Sequence, residues 1–349
     1  MKADLRPDEQ LQPRGLGFRL TRADGTSYHV GMLRWLVAGI GDIASRRVLP
    51  AILAERRSRL VGLVTRKPEK AKKYDVPSWT ELENALADCD ADAVYVATPV
   101  FLHAPMTIAS LRAGRHVLCE KPMALNYEDA TLMEVAARES GRMFGIAYYR
   151  RMYPKIARAK ELIESGAIGR PVFAEATSHN WFYPSDGYRE WLVDPIRAGA
   201  GPLFDNGCHR IDLFNDLFGT PVTVTAFLST LVHPIEVEDN ATALIEYESG
   251  VRAQLDVRWH SRVLRDEFRV RGTNGELDLS PLNSPELVHP LGSEKISPHE
   301  NLHFPCIENF VGSILDGATL RSSGASSLPT EWVLNQARLR AGKSGGGKQ

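Results

Sequence analysis

The stretch Arg34-Trp35-Leu36-Val37-Ala38-Gly39-Ile40-Gly41-Asp42-Ile43-Ala44 decides the fold. A continuous apolar run is how a strand buried in a parallel sheet reads. Gly39 permits a tight turn out of that strand. Gly41, with no Cβ, lets backbone N–H groups come close to a pyrophosphate, and Ala44 lets the next helix pack close to the sheet. Asp42 and Ile43 then open a helix whose unpaired amides and positive dipole end face the phosphates. The competing reading is a plain turn, because small residues end many strands. Context favours a dinucleotide site: a strand precedes, a helix follows, and further strand–helix units lie downstream.

Outward from this turn the alternation continues. Leu36–Ala38 reads as a strand and Ser45–Ala54 as a helix that Pro50 is expected to kink or shorten. Leu60–Val64 is the second strand, followed by a basic helical stretch, Glu69–Lys73. Thr80–Ala87 is helix, Ala93–Ala97 the fourth strand, His103–Ala113 helix and His116–Leu118 the fifth strand. Asn126–Ser140 is a long helix with Asn126 as its cap, and Met143–Ile146 is the sixth strand. Such units predict a doubly wound parallel sheet, a dinucleotide-binding Rossmann domain over residues 32–150.

Past Tyr149 the pattern changes. After the helix Lys155–Ser165 come longer alternating runs at Val172–His179, Val222–Leu231, Thr242–Glu248 and Val251–Trp259. Glu248-Ser249-Gly250 and Thr273-Asn274-Gly275 are turn signals between such runs. Residues 151–340 are thus expected to form a second α/β domain, with a mainly antiparallel sheet covered by helices on one face and open on the other. Residues 1–31 are expected to be an extension, with a hairpin through Ala23-Asp24-Gly25 and Met32 as the native start. Residues 341–349 are expected to be a disordered tail.

Composition bounds the class. The chain has 349 residues, enough for two ordinary domains, and its 43% hydrophobic content supplies a full core. A formal net charge of -1 leaves no basic footprint for nucleic acid. Cys89, Cys119, Cys208 and Cys306 are scattered, with no Cys-x-x-Cys pair, so neither a zinc site nor a disulfide framework is implied and free buried thiols are expected. No apolar run reaches membrane-spanning length and the N-terminus lacks an apolar signal core. A cytoplasmic protein that works away from membranes is expected.

Four places carry candidate chemistry. The second strand ends Gly62-Leu63-Val64-Thr65-Arg66-Lys67. An acidic residue here commonly takes the ribose diol of NAD. Thr65 and Arg66 stand instead, and a hydroxyl with a guanidinium suits the 2′-phosphate, so NADP(H) is favoured over NAD(H). The alternative is that Arg66 and Lys67 are a solvated face. Thr98, in Ala97-Thr98-Pro99, lies at the carboxyl edge of the sheet, on the nicotinamide side of the groove. His103 is either a cofactor contact or a helix-end structural residue. Cys119-Glu120-Lys121-Pro122 closes the fifth strand. Charges at that edge need a reason: the Lys121 amine is expected over the nicotinamide and toward a substrate oxygen, with Glu120 among the cofactor residues and Pro122 free to be cis. The alternative is a surface lysine capping a strand.

The fourth place is Phe204-Asp205-Asn206-Gly207-Cys208-His209-Arg210-Ile211-Asp212, ahead of a helix at Ile211–Phe218. Asp205 and His209 are four apart and share one face of a helix. A carboxylate beside an imidazole fixes its tautomer and raises its basicity, which suits proton transfer with a hydroxyl. The alternative is that Asp205 caps the helix and His209 is a satisfied core histidine. No other His or Cys lies at ligand spacing, so no metal is expected.

These clusters together resemble the glucose–fructose oxidoreductase / inositol dehydrogenase / MocA (Gfo/Idh/MocA) family, from about Arg34 to about Arg340. Four marks in this order carry the resemblance: the Gly39–Ala44 turn, Ala97-Thr98-Pro99, Glu120-Lys121-Pro122, and Asp205-x-Gly207-x-His209-x-x-Asp212. Arg150-Arg151-Met152-Tyr153-Pro154 and Gly166-Ala167-Ile168-Gly169 also resemble the family's passage into its second domain. The resemblance implies a Rossmann domain, then an α/β domain with an open sheet. It implies a sugar, polyol or related hydroxy compound in the cleft, and homodimers or homotetramers through the open sheet. It implies Lys121 and His209 as catalytic, with Asp205 as the carboxylate neighbour of His209. The chain departs from the family in lacking the acidic residue after the second strand and in carrying the N-terminal extension.

The expected activity is an NAD(P)-dependent dehydrogenase or reductase acting on CH–OH groups. His209 removes the hydroxyl proton, Lys121 stabilises the alkoxide and Asp205 keeps His209 oriented. Arg151, Trp181, Tyr188 and Arg189 are expected on the substrate side. Trp181-Phe182-Tyr183 either stacks on a sugar face or packs in a core or interface. Two other functions fit the same fold. One is an NAD-dependent glycoside hydrolase, which shows no net redox; the other is a dinucleotide-binding regulatory protein without turnover, against which intact Lys121 and His209 argue.

Overall fold

Strand β1, Leu33–Ala38, lies inside a six-stranded parallel sheet. The other strands are β2 (Ser58–Val64), β3 (Ser78–Trp79), β4 (Ala93–Val96), β5 (His116–Cys119) and β6 (Phe144–Ile146), in the order β3-β2-β1-β4-β5-β6. The order reverses between β1 and β4, which opens a crevice at the carboxyl ends of those strands. This computed structural model describes residues 18–21, 27–184 and 189–341. Phe18–Thr21 pairs antiparallel with Ser27–Val30, as the expected hairpin requires. The rest of the extension and residues 342–349 lie outside the described residues; the last helix runs through Ala341.

The helix after the glycine turn does not stop at Pro50. Its turn Ala44–Val48 widens to π geometry, the Leu49 N–H donates to the Ala44 carbonyl, and α1, Leu49–Ala54, continues. Proline has no N–H for the i−4 carbonyl, and the wider turn absorbs the misfit. The basic stretch forms only two short turns, Pro68–Lys70 and Lys72–Tyr74, rather than one helix. Helices α2 (Leu82–Asp88), α3 (His103–Arg112) and α4 (Tyr127–Ser140) follow the expected alternation. Asn126 caps α4 by accepting the Asp129 N–H at 2.8 Å.

Helix α5, Pro154–Glu164, leads into an eight-stranded sheet. Its strands are β7 (Pro171–Trp181), β8 (Pro221–Ser229), β9 (Asn240–Tyr247), β10 (Arg252–Arg258), β11 (His260–Gly272), β12 (Gly275–Asp278), β13 (Glu286–His289) and β14 (Gly292–Lys295), ordered β8-β9-β10-β7-β11-β12-β13-β14. All neighbours are antiparallel except β10 and β7. Alternation puts Ala241, Ala243 and Ile245 of β9 and Ala253, Leu255 and Val257 of β10 on the buried face. The short α6 (Pro195–Ala198) precedes α7 (Cys208–Phe218), which packs on this sheet. The opposite face carries ion pairs between Glu175 and Arg269 and Arg271, with Phe227 and Leu244 exposed.

Part of the chain beyond residue 150 packs back on the parallel-sheet domain. Helix α8, Phe304–Leu315, returns to the first domain. Its Ile307, Phe310, Val311 and Leu315 share one apolar cluster with Trp35, Val37, Leu49 and Tyr95, and the Phe310 ring lies 5.5 Å from that of Trp35. Helix α9, Gly324–Ala341, then packs against α4, α7 and β8, joining both domains. All four cysteines are free and buried. Among the described residues no helix is long and apolar enough to cross a membrane, and no group of three His, Cys, Asp or Glu could hold a metal ion.

Candidate active site

The glycine turn is built for close approach. Gly39 has φ +98°, and a Cβ there would stand 2.5 Å from the Ala97 carbonyl oxygen, so the turn can meet the end of β4 only as glycine. A Cβ on Gly41 meets nothing within 4 Å: the space above it is open. The amides of Asp42 and Ile43 fall in a first helical turn, where no i−4 carbonyl serves them. At the end of β4 the Thr98 hydroxyl is buried without a partner. A cavity of about 470 Å³ lies beside the turn, lined by Ile40, Ser45, Glu69, Lys70, Lys72 and Lys73. An open floor, free amides, an orphaned hydroxyl and a cationic wall fit a dinucleotide. Gly39→Ala is therefore expected to lose at least about 2 kcal/mol of stability in chemical denaturation. Gly41→Val is expected to hold Tm within about 3 °C while dinucleotide affinity, read by fluorescence titration, falls more than about tenfold.

Other residues expected on the cofactor are already engaged. The Thr65 hydroxyl accepts the Lys67 N–H at 3.1 Å, which holds its own turn. His103 is not free for a cofactor: Nδ1 lies 2.8 Å from the Pro122 carbonyl and Nε2 2.9 Å from that of Thr98, stapling two loops together. Glu120 is likewise withdrawn into the fold. It accepts from the Tyr95 hydroxyl at 2.8 Å and lies 3.4 Å from His303 Nε2. Burial opposes its charge, but His303 and Lys121 outweigh that and hold its pKa below the ordinary value.

The Lys121–Pro122 peptide bond is cis. Lys121 Nζ reaches across to the second domain, donating to the Asp205 carbonyl at 2.8 Å and to Asp205 Oδ1 at 3.3 Å. Burial disfavours both charges, yet their attraction wins: the Lys121 pKa is raised and that of Asp205 lowered. Asp205 does not hold His209 as expected. Residues Leu203–Gly207 form a π turn, the Cys208 N–H donating to the Leu203 carbonyl, so the four-residue spacing no longer shares one face. Asp205 instead lies between Lys121 and Arg189, whose Nη2 is 3.4 Å from Oδ1. His209 is 4% exposed, its Nδ1 is buried without a hydrogen-bond partner, and its ring packs edge-on against Tyr149 at 4.9 Å. Burial, then the charges of Arg150, Lys121 and Arg210, push its pKa well below the ordinary histidine value. The Lys121 amine and the His209 imidazole come from different domains, and the Lys121 charge is among those that act on His209.

Of the residues expected on the substrate, Arg189 joins this group, in a left-handed conformation with φ 57°. Arg151 does not. It is 3% exposed and gives Nε and Nη2 to the Asp212 carboxylate, with Nη1 on Ser326. Trp181 belongs to another cluster, its ring under Arg262 at 4.0 Å and edge-on to His233 at 4.9 Å. Phe182 packs on Trp259 and Tyr183 on His233, while Trp181 and Tyr183 stay 42% and 48% exposed. Tyr188 lies outside the described residues. Sequence reading missed Tyr149, whose ring lies 4.4 Å from that of His303 as well as near His209, and Arg150, which sat one place from the arginine it chose.

The class of protein that this arrangement defines is a two-domain oxidoreductase with a Rossmann cofactor domain. Family comparison agrees. Residues 33–148 match the oxidoreductase family with an NAD-binding Rossmann fold, and residues 156–278 match the GFO/IDH/MocA C-terminal domain. The chain is 33% identical over 253 residues to 1,5-anhydro-D-fructose reductase of Ensifer adhaerens, covering 70% of this chain and 75% of that one. It is 29% identical over 252 residues to D-xylose 1-dehydrogenase (NADP(+)) 2 of Haloferax volcanii, again 70% and 75%. Among solved structures it is similar to aldose-aldose oxidoreductase of Caulobacter crescentus complexed with glycerol, with TM-score 0.81 and 27% identity over 89% of this chain and 98% of that one. The chain belongs to the Gfo/Idh/MocA family of oxidoreductases.

Proposed function

We propose that this enzyme oxidises or reduces one CH–OH/C=O centre of a sugar or polyol with NADP(H) in preference to NAD(H), using Lys121 and His209. The observation that carries the reading is the Lys121 amine lodged against Asp205, one helical turn before the neutral His209, at the carboxyl edge of the parallel sheet. When bound, the dinucleotide supplies the hydride donor or acceptor. Gly39 and Gly41 give it room, Asp42 and Ile43 offer amides to its phosphates, and Thr98 offers a hydroxyl. His209, neutral, takes the proton of the substrate hydroxyl. Lys121, kept charged by Asp205, stabilises negative charge on the same oxygen. Asp205 and Arg189 fix where that amine stands. Sugar-acting relatives and the family model support the hydride-transfer reading. The test is absorbance at 340 nm in stoichiometric proportion to product over a panel of aldoses and polyols. A glycoside added to the panel and cleaved with no net absorbance change would instead mark a glycoside hydrolase.

The NADP(H) preference rests on Thr65 and Arg66 where an acidic residue would repel a 2′-phosphate, and on the lysines lining the adjoining cavity. The expected NADP/NAD affinity ratio is above one, and Arg66→Ala is expected to lower it about tenfold. An NAD-preferring wild type overturns the preference. The open sheet face carries exposed Phe227 and Leu244 among its charges, which supports a homodimer or homotetramer through that face. Light scattering is expected to read two or four subunits, and Phe227→Glu to lower the count.

A further inference from the structure

Around His209 several buried hydrogen-bond donors have no acceptor in the protein. Arg150 follows β6 by four residues, in the turn Tyr149–Met152, at the same carboxyl edge as Lys121. It is 9% exposed, and Nε and Nη1 of its guanidinium are buried without a partner; Nη2 alone reaches Asn283 Oδ1, at 3.4 Å. Its plane lies against the Tyr149 ring, 5.2 Å from the centroid, which serves the face of the cation and leaves its N–H edge unmet. The same Tyr149 ring touches His209, whose Nδ1 also has no partner. Arg210, next along the helix, keeps Nε unpaired, and its Nη2 takes Asp266 at 2.6 Å. The carboxylates within reach are therefore committed: Asp205 to Lys121 and Arg189, Asp266 to Arg210. Arg150 and Lys121 lead the charges that depress the pKa of His209.

An unpaired guanidinium N–H taken out of water is costly, and such groups persist where a ligand supplies the acceptor. A sugar hydroxyl both donates and accepts. An ionised carboxylate only accepts, through two oxygens with a geometry that matches the guanidinium fork. Resting on the oxidoreductase reading above, we propose that the substrate is a sugar acid or related hydroxy acid whose carboxylate is taken by Arg150 beside His209. Arg150 then sets substrate class, while Lys121 and His209 handle the reacting oxygen.

The experiment titrates the protein saturated with NADPH calorimetrically. One set of probes is D-glucuronate, D-galacturonate and D-gluconate; the other is D-glucose, D-galactose and D-sorbitol. D-glucose 6-phosphate is the phosphate arm. At least one acid is expected to bind about 100-fold more tightly than its neutral counterpart. Arg150→Met is expected to bring that ratio to within about threefold, and Arg150→Lys to restore part of it, with NADPH affinity unchanged as the check on folding. Neutral sugars binding as well as all three acids overturn the proposal, as does tight binding of the phosphate alone, or no acid binding at all. So does an Arg150→Met variant that lowers affinity for acid and neutral sugar equally. Should Arg150→Met misfold, the wild-type ratio still decides whether an acid is preferred, and Arg150→Gln carries the same comparison for the residue. Nor does it need turnover: acid binding with no absorbance change at 340 nm, with either NADPH or NADP(+) supplied, defeats the oxidoreductase mechanism and leaves the anion site standing.

Discussion

Replacing Lys121 by methionine lowers kcat by about 10²–10³-fold, the scale for removing a charge that stabilises a developing oxyanion. The side chain keeps its length and apolar stem, so the effect isolates the amine. Nζ is the only part of Lys121 that reaches Asp205, at 2.8 Å to its carbonyl and 3.3 Å to Oδ1. Dinucleotide affinity is expected within about threefold of wild type, because the glycine turn and Thr98 are untouched. Asp205 loses one of two cations and keeps Arg189. Its pKa rises as a result, since burial is then opposed by less positive charge. Steady-state turnover at 340 nm with a proven substrate is the measurement. A Lys121→Met enzyme at wild-type kcat removes the amine from the mechanism.

Replacing His209 by asparagine lowers kcat by about 10²–10⁴-fold, the range for loss of a general base. The wild-type pH profile gives a second readout. An unperturbed histidine base loses about three-quarters of its neutral form by pH 6, so the rate of oxidation drops about fourfold between pH 8 and pH 6. His209 has its pKa pushed well below the ordinary value, by burial first and then by Arg150, Lys121 and Arg210. Its neutral form therefore survives as the pH falls through that range, and oxidation is expected to change less than about twofold between pH 8 and pH 6. A break near pH 6.5 in kcat overturns this assignment. Because Arg150 leads the charges acting on His209, Arg150→Met is expected to move any acid limb toward higher pH.

The glycine turn was legible because its requirement is local. Gly39 adopts a backbone conformation that side chains resist, and the sequence before and after it states the strand and the helix. Lys121 was legible for a similar reason, standing at the end of a buried strand. The wiring between them was not. Asp205 was assigned to His209 on helical spacing, and one widened turn sends it to Lys121. Choosing between Arg150 and Arg151 needs to know which way a single turn of chain faces. Arg151 points to Asp212 on α7, and nothing in two adjacent arginines says so. Strand β11 was unread because much of its first half is exposed and only Phe268 and Val270 alternate inward. Helix α8 lay in an unassigned region, and its partners stand well over two hundred residues earlier in the chain.

Helix α8 bears on how the molecule can be divided. A fragment ending near residue 150 retains every residue of the glycine turn and Lys121, yet leaves Trp35, Val37 and Leu49 facing water where Phe310 and Val311 belong. The cofactor half is thus not an autonomous module that a gene fusion could transplant. Exchange of cofactor specificity with a relative has to carry Phe304–Leu315 along with the first 150 residues, or graft only the few side chains after β2.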